Sequence, residues 1–382
     1  MATAMSVIQD THAEGIAIPR IREALNQEWA RLSAIIQEQT GSPPLRASTA
    51  TLVVLARAGS ESERAREMLH RLASAVPSRA ILFIFDNERQ APVASIWAHC
   101  TIGQRGKQGH CYDVIEISLP PERAVAIPNI IAVHRLGGLP TFIVWDMPVD
   151  FESREFRSIN QMADRVVLDT ERIDQPLDAM QRYAMFLGTA GSTVIGSDLA
   201  WTRLATWREL IAQSFDPPNM ARFATEIRTM DLTYDQSQAS GAILLASWIV
   251  SRLGLRPESA VDSATTLQLR ARRPDGSRSL DIQLHHSQRS GIGLRSVRLL
   301  ARDRSGTAKI SILRDHRGRA IHRLEATGMP RQERVVHHPE QPLSELVAAE
   351  LTRFSRDRIF EEALAIGAQF QRILTSRESS EQ

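Results

Sequence analysis

The sequence predicts an α/β N-terminal domain with a mostly parallel sheet, followed by an α+β domain with an antiparallel β-meander and C-terminal helices. Three observations predict it. Residues 51–170 alternate short apolar runs with helical stretches long enough to cross over between parallel strands. Residues 263–337 switch to a period of two, punctuated by turn sequences, and the end of the chain returns to helical spacing. A length of 382 residues accommodates two domains of ordinary size.

Residues 1–44 read as a helical lead, with Ile21, Leu25, Leu32, Ile35 and Ile36 on one face before the PPL at 43–45. The α/β domain spans 45–190. Its strand patterns are TLVVLARA at 51–58, AILFIFD at 80–86, CYDVIEISL at 111–119, TFIVWDM at 141–147 and RVVLDT at 165–170, with helices expected near 61–75 and 122–136. GTAGST at 188–193 reads as a linker into the second domain, 191–382. There DLAWTRLATWRELIAQSFDPP opens on Asp198 at an N-cap position, repeats apolar residues at helical spacing and stops at Pro217 and Pro218. Residues 237–253 are apolar nearly all round, which predicts a buried helix ending at Gly254. In the meander, RRPDGSR, DRSGT and DHRGR recur at hairpin spacing. The parity of the apolar residues changes between Leu294 and Val297, which predicts a bulge near Arg295 and Ser296. Leu343, Leu346, Val347, Leu351, Phe354 and then Ile359, Phe360 and Leu364 mark the closing helices.

A hydrophobic fraction of 43% and a charged fraction of 24% exclude wholesale disorder. The longest nearly apolar run, AILLASWIV at 242–250, is far short of the ~20 residues that span a bilayer, so no membrane partner is expected. The first residues mix Asp10, His12 and Glu14 into small residues, without a basic start or a secretory apolar stretch. Two cysteines, Cys100 and Cys111, cannot form a disulfide framework, and a cytoplasmic location is the expectation. They flank a glycine-rich tip and read either as two buried thiols or as a redox pair across a hairpin. Charge is unevenly distributed. Residues 252–337 hold 18 Arg and Lys against 8 Asp and Glu, a local excess of +10 in a chain of net charge +2, which calls for an anionic partner.

The search for chemistry is mostly negative. HCTIGQRGKQGHC at 99–111 lacks P-loop spacing and the Ser or Thr that follows the lysine, and GIGLRS at 291–296 lacks the third small residue of a dinucleotide fingerprint. His285 and His286 are adjacent in a strand and point to opposite faces, no HExxH or CxxC pair occurs, and no metal or cofactor is expected. There is no GxSxG, and Glu361 and Glu362 sit among arginines on a helix. The basic meander contains no Phe, Tyr or Trp on which bases could stack and no DNA-binding pattern accompanies it, so an acidic protein surface fits it better than nucleic acid.

The stretch DLAWTRLATWRELIAQSFDPP, followed by a strand and by SGAILLASWIVSRLGL at 240–255, resembles the central signature of the OpcA family of glucose-6-phosphate dehydrogenase assembly proteins. CYDVIEISLP at 111–120, GLPTFIVWDMP at 138–148 and MADRVVLDT at 162–170 resemble other segments of that family in order and spacing. Gly137 and Gly138 stand where an acidic residue is expected, and Asp146 where a second Trp is common. The resemblance implies a non-catalytic protein that binds glucose-6-phosphate dehydrogenase, promotes its active oligomer as an allosteric activator and supports NADPH production in the oxidative pentose phosphate pathway. Trp201, Arg203, Trp207 and Arg208 are candidate partner contacts, because Trp and Arg dominate interface energetics. The same spacing suits packing in the core. A regulator that senses a nucleotide or sugar phosphate at the strand ends of the α/β domain, and an enzyme without a local signature, are the alternatives.

Overall fold

The computed structural model describes residues 7–46, 48–72, 75–102, 110–189, 193–235, 239–263, 265–287 and 293–381. The chain forms two compact units. The first comprises residues 1–168, 193–196 and 343–355; the second comprises 169–192, 197–342 and 356–382. Where the sequence suggests a single cut near 190, each unit therefore borrows segments from the far side of that cut.

The first unit contains one large sheet. Its strands are β1 (Val7–Ile16), β2 (Leu45–Arg46), β3 (Thr51–Arg57), β4 (Arg79–Phe85), β5 (Val93–Ile102), β6 (His110–Leu119), β7 (Thr141–Trp145), β8 (Arg165–Leu168) and β9 (Ile195–Asp198), the last being the strand on which the chain passes into the second unit. Their order is β1-β5-β6-β4-β3-β7-β8-β9, with β2 beside β6. The strands from β6 to β8 are parallel, as expected, and β5 and β1 extend one edge antiparallel. Strand β3 is buried at every position but Arg57, and β7 throughout, so both faces of the centre need helical cover. Helices Ser60–Leu72 and Ile127–His134 lie in the connections that lead into β4 and β7. The lead is not helical throughout: helix Ile21–Thr40 is preceded by β1, whose polar sequence VIQDTHAEGI carries no clear apolar period because it pairs only at the sheet edge.

Inside this unit Arg165, at the start of β8, is 2% exposed and faces Glu350, which is 1% exposed, at 3.6 Å. Its guanidinium also donates to the carbonyls of Arg353 and Ser355 at 2.6 and 2.9 Å. Segment 343–355, which carries these acceptors, begins with helix Leu343–Leu351 against helix Ser60–Leu72.

The second unit contains an eight-stranded sheet of β10 (Ile227–Asp235), β11 (Arg256–Asp262), β12 (Thr266–Arg272), β13 (Ser279–Ser287), β14 (Leu294–Asp303), β15 (Gly306–Arg314), β16 (Arg319–Ala326) and β17 (Gln332–His337). The order is β11-β12-β13-β10-β14-β15-β16-β17. It is a meander with one correction: β10 inserts between β13 and β14 and runs parallel to β13. The register skips Arg295 opposite Thr233 and Tyr234, the bulge that the parity change predicts. Across the sheet Leu269, Ile282, Met230, Leu299, Ile310 and Leu324 form one buried row, and helices Ala239–Arg252 and Arg358–Glu381 pack together in the same unit. Gly254 ends the first of these helices with φ of 65°, in the left-handed region where glycine avoids the Cβ clash.

Arg165→Met removes the more buried of the two arginines that face the Glu350 carboxylate, the other being Arg353 at 3.6 Å, and is expected to lower stability in urea unfolding by about 3 kcal/mol. Arg165→Met combined with Glu350→Leu removes both charges, and should cost clearly less than the single substitution.

Candidate interaction surface

The tryptophan segment folds as two short helices, Leu199–Arg203 and Ala205–Gln213, which meet at Leu204 where ψ is −2°. Asp198 is the N-cap: its Oδ1 accepts from the Ala200 amide at 2.9 Å and from the Thr170 amide at 3.2 Å, while Oδ2 accepts from the Thr170 hydroxyl at 2.6 Å. Trp201 is 1% exposed. Its indole N–H donates to Asp357 at 3.0 Å, and Asp357 also accepts from the Phe360 amide, which caps helix Arg358–Glu381. The Arg208 guanidinium lies over the Trp201 ring, 3.6 Å from its centroid. Trp207 is 3% exposed and meets the ring of His338 edge to face at 5.5 Å. Arg203 forks onto Asp169 with two bonds of 2.7 Å. These four candidate contacts are thus engaged within the second unit, and the burial of Trp201 and Trp207 supports their packing reading.

Arg203 sits in a cluster of buried acids. Burial pushes Asp198 up to about 7, helped by the nearby Asp169, and raises Glu171 well above the ordinary carboxylate range. Glu171 accepts from the Gly241 amide at 2.7 Å, near the start of helix Ala239–Arg252. Another buried polar relay joins the end of helix Ala205–Gln213 to the sheet. Ser214 donates to the Leu210 carbonyl and lies 2.8 Å from His322 Nε2, and Arg334 donates to His322 Nδ1 at 2.9 Å. With Nδ1 accepting, the neutral ring carries its proton on Nε2 and donates to Ser214. Burial, with the charge of Arg334, lowers His322 to about 4.

The open face of the eight-stranded sheet is charge balanced. The cross-strand row Gln283, Asp231, Arg298, Ser311, Arg323 and Glu333 is exposed or half-buried, and its two arginines, kept apart by Ser311, are each flanked on the other side by an acid. The cationic excess gathers at the strand ends instead. Arg228 at the start of β10, Arg278 before β13, and Arg302 and Arg304 around the β14–β15 turn surround a shallow hollow of about 630 Å³ that also holds Glu226 and Asp303. Glu226 pairs with both Arg228 and Arg278, and Asp303 with Arg222 at 3.6 Å. Arg302 and Arg304 are exposed and form no ion pair among the described residues. This rim presents guanidinium groups to solvent at the mouth of a concave surface, which suits a carboxylate-rich patch of another protein. The local excess of +10 is visible in the sequence, but its assembly from separate strand ends becomes visible only with the sheet order.

Cys100 and Cys111 stand directly opposite in β5 and β6 and are joined by a disulfide, in place of two separate thiols. The pair lies in an apolar cluster with Leu32, Ile36 and Ala98. The glycine-rich tip between them lies outside the described residues from 103 to 109, as do 190–192 of the linker pattern and 291–292 of GIGLRS. Among the described residues no group of three His, Cys, Asp or Glu side chains is placed to hold a metal, and no helix is long and apolar enough to cross a membrane.

Trp201→Ala is expected to cost about 3–5 kcal/mol of stability by urea unfolding, whereas an interface role alone leaves stability unchanged. His322 has a folded-state value below its ordinary one, so the unfolded chain takes up the proton first. As pH falls from about 6.5 to about 4, wild type should lose stability relative to His322→Gln, with no further divergence below that window. Reduction of the Cys100–Cys111 bond, or its replacement by two serines, is expected to cost about 2–4 kcal/mol in the same assay.

Two family profiles match the chain: residues 44–185 match a domain described as the glucose-6-phosphate dehydrogenase subunit N-terminal domain, and 195–364 its C-terminal counterpart. A relative named OpcA from Synechococcus elongatus is 24% identical over 371 residues, covering 93% of this chain and 82% of its own. One of the same name from Nostoc punctiforme is 25% identical over 308 residues, and there the match takes in 76% of this chain and 64% of the relative. Both names also cite the OxPP cycle. Among solved structures, the transcriptional regulator Gal80p of Kluyveromyces lactis is similar over 91% of this chain and 96% of its own, at 9% identity and a TM-score of 0.48, a likeness from which no function follows. With both domains matched in order over most of its length, the chain belongs to the OpcA family of glucose-6-phosphate dehydrogenase assembly proteins.

Proposed function

We propose that this protein is a non-catalytic assembly factor that binds glucose-6-phosphate dehydrogenase, favours its active oligomer and so raises NADPH formation. Family membership supports the choice of partner, and the arginine rim of the second sheet supports the docking part of the reading. Four guanidinium groups converge on one hollow, and two of them, Arg302 and Arg304, form no ion pair among the described residues. Such a surface attracts an acidic patch over a distance set by ionic screening and fixes its orientation through forked hydrogen bonds.

Activation follows by population shift. A partner that binds the active oligomer more tightly than the inactive forms raises its fraction by that difference in affinity, and one that binds all forms equally changes nothing. The protein therefore needs no reacting group of its own.

The test is a titration into purified glucose-6-phosphate dehydrogenase from the same source, following NADPH formation and the mass of the complex together. A saturable rise in rate with a new, larger species is expected; neither complex nor rate change would sink the proposal. Arg302→Glu with Arg304→Glu should weaken the complex roughly tenfold and flatten its salt dependence while leaving the melting temperature unchanged. Unaltered affinity in that variant would move the docking surface elsewhere.

A further inference from the structure

Strands β6, β4, β3, β7, β8 and β9 repeat the order 3-2-1-4-5-6 of dinucleotide-binding sheets. In such sheets the ligand lies at the carboxyl ends of the first and fourth strands, with its pyrophosphate against the N-terminus of the helix after the first strand. The corresponding place is present here. A cavity of about 1010 Å³ opens at the ends of β3, β4 and β7, within the first unit, and Phe85, Trp145 and Phe156 contribute apolar surface to its wall. Asp86, directly after β4, stands where these folds carry the acid that binds a ribose hydroxyl.

The residues at the phosphate position do not fit that group. The turn after β3 reads Arg57-Ala58-Gly59-Ser60-Glu61-Ser62, with a single glycine, at φ 97°. Glu61, in the first turn of helix Ser60–Leu72, is 7% exposed and accepts from the Arg57 amide at 3.1 Å, from its Nε at 3.0 Å and from a terminal guanidinium nitrogen at 2.5 Å. A carboxylate thus already neutralises the helix end and holds the donors of the turn. The Ser62 hydroxyl is turned back onto the Gly59 carbonyl at 2.9 Å. Around it the wall carries Asp86, Glu88, Asp150 and Glu155, and its one basic residue among those described is the Arg57 that Glu61 occupies. A phosphate here would displace a forked ion pair and share the cavity with several carboxylates.

We infer that this crevice is a dinucleotide-type site closed to phosphate by the protein's own Glu61, so that NADPH, NADP+ and glucose 6-phosphate do not bind in it. This removes the crevice as the seat of a nucleotide or sugar-phosphate sensor, although the sheet order alone points to one.

The test uses the full chain and thermal shift. Wild type should show no saturable rise in melting temperature with NADPH, NADP+ or glucose 6-phosphate at millimolar concentration. Glu61→Ser frees the amide and guanidinium of Arg57 and removes the carboxylate from the helix end, and should gain a saturable rise with inorganic pyrophosphate. Adding Arg57→Ala to it should weaken that response at least tenfold. Where Glu61→Ser fails to fold by circular dichroism, Glu61→Gln, which keeps a hydrogen bond to Arg57 without the charge, supplies the same readout. A saturable wild-type response to NADPH that persists in the Arg302→Glu/Arg304→Glu variant overturns the inference, as does the absence of any pyrophosphate response in the folded Glu61 variants. The dehydrogenase takes no part in these measurements, so their outcome is independent of the proposed partnership.

Discussion

The first unit depends on one constraint, the burial of its central parallel strands on both faces. Thr51–Arg57 has solvent at one position only, so its sheet must be covered above and below. Covering two faces with right-handed crossovers sends the chain first to one side of β3 and later to the other, and the strand order follows. The same order gathers the loops after β3, β4 and β7 at one edge and leaves a crevice between them. The crevice is therefore a product of core packing and exists whatever its lining does. Arg57 and Glu61 show how such a fold retains the hollow while its chemistry is turned inward.

The second unit solves a different problem. Its sheet buries one face, so strands β12, β13, β15 and β16 alternate, and charges on the open face lie beside charges of the neighbouring strand. Like charges directly opposite repel, and in the exposed row Arg298 and Arg323 are kept apart by Ser311 and paired outward with Asp231 and Glu333. Turns carry no such cross-strand neighbour and remain hydrated. An excess of arginine accumulates there at little cost to folding, which places the strongest field at the rim rather than across the face.

The elements that could be read from sequence are those whose pattern is set by local burial: five of the nine strands of the first sheet (β3, β4, β6, β7 and β8), the buried helix before Gly254, the Asp198 cap and the bulge at Arg295. Those missed take their character from distant partners. Strand β1 is polar because it closes an edge, and β10 looks like any half-buried strand until β13 and β14 flank it. The spacing of Trp201 and Trp207 is equally good for a core and for an interface. What distinguishes them is Asp357, 156 residues away from Trp201, and no local pattern announces that contact. Likewise the Cys100–Cys111 bond depends on the register of two strands rather than on the number of cysteines.

The return of segment 343–355 to the first unit gives the chain a temporal asymmetry. Arg165 waits for carbonyl acceptors that lie up to 190 residues further on, at Arg353 and Ser355. At translation speeds of 5–20 residues per second that interval is roughly 10–40 s, during which a guanidinium destined for the interior has no acceptor to meet. The N-terminal sheet can collapse on the ribosome, but it cannot be sealed until segment 343–355 has been made. Nascent protein thus carries an open seam beside β8 throughout the synthesis of the second sheet.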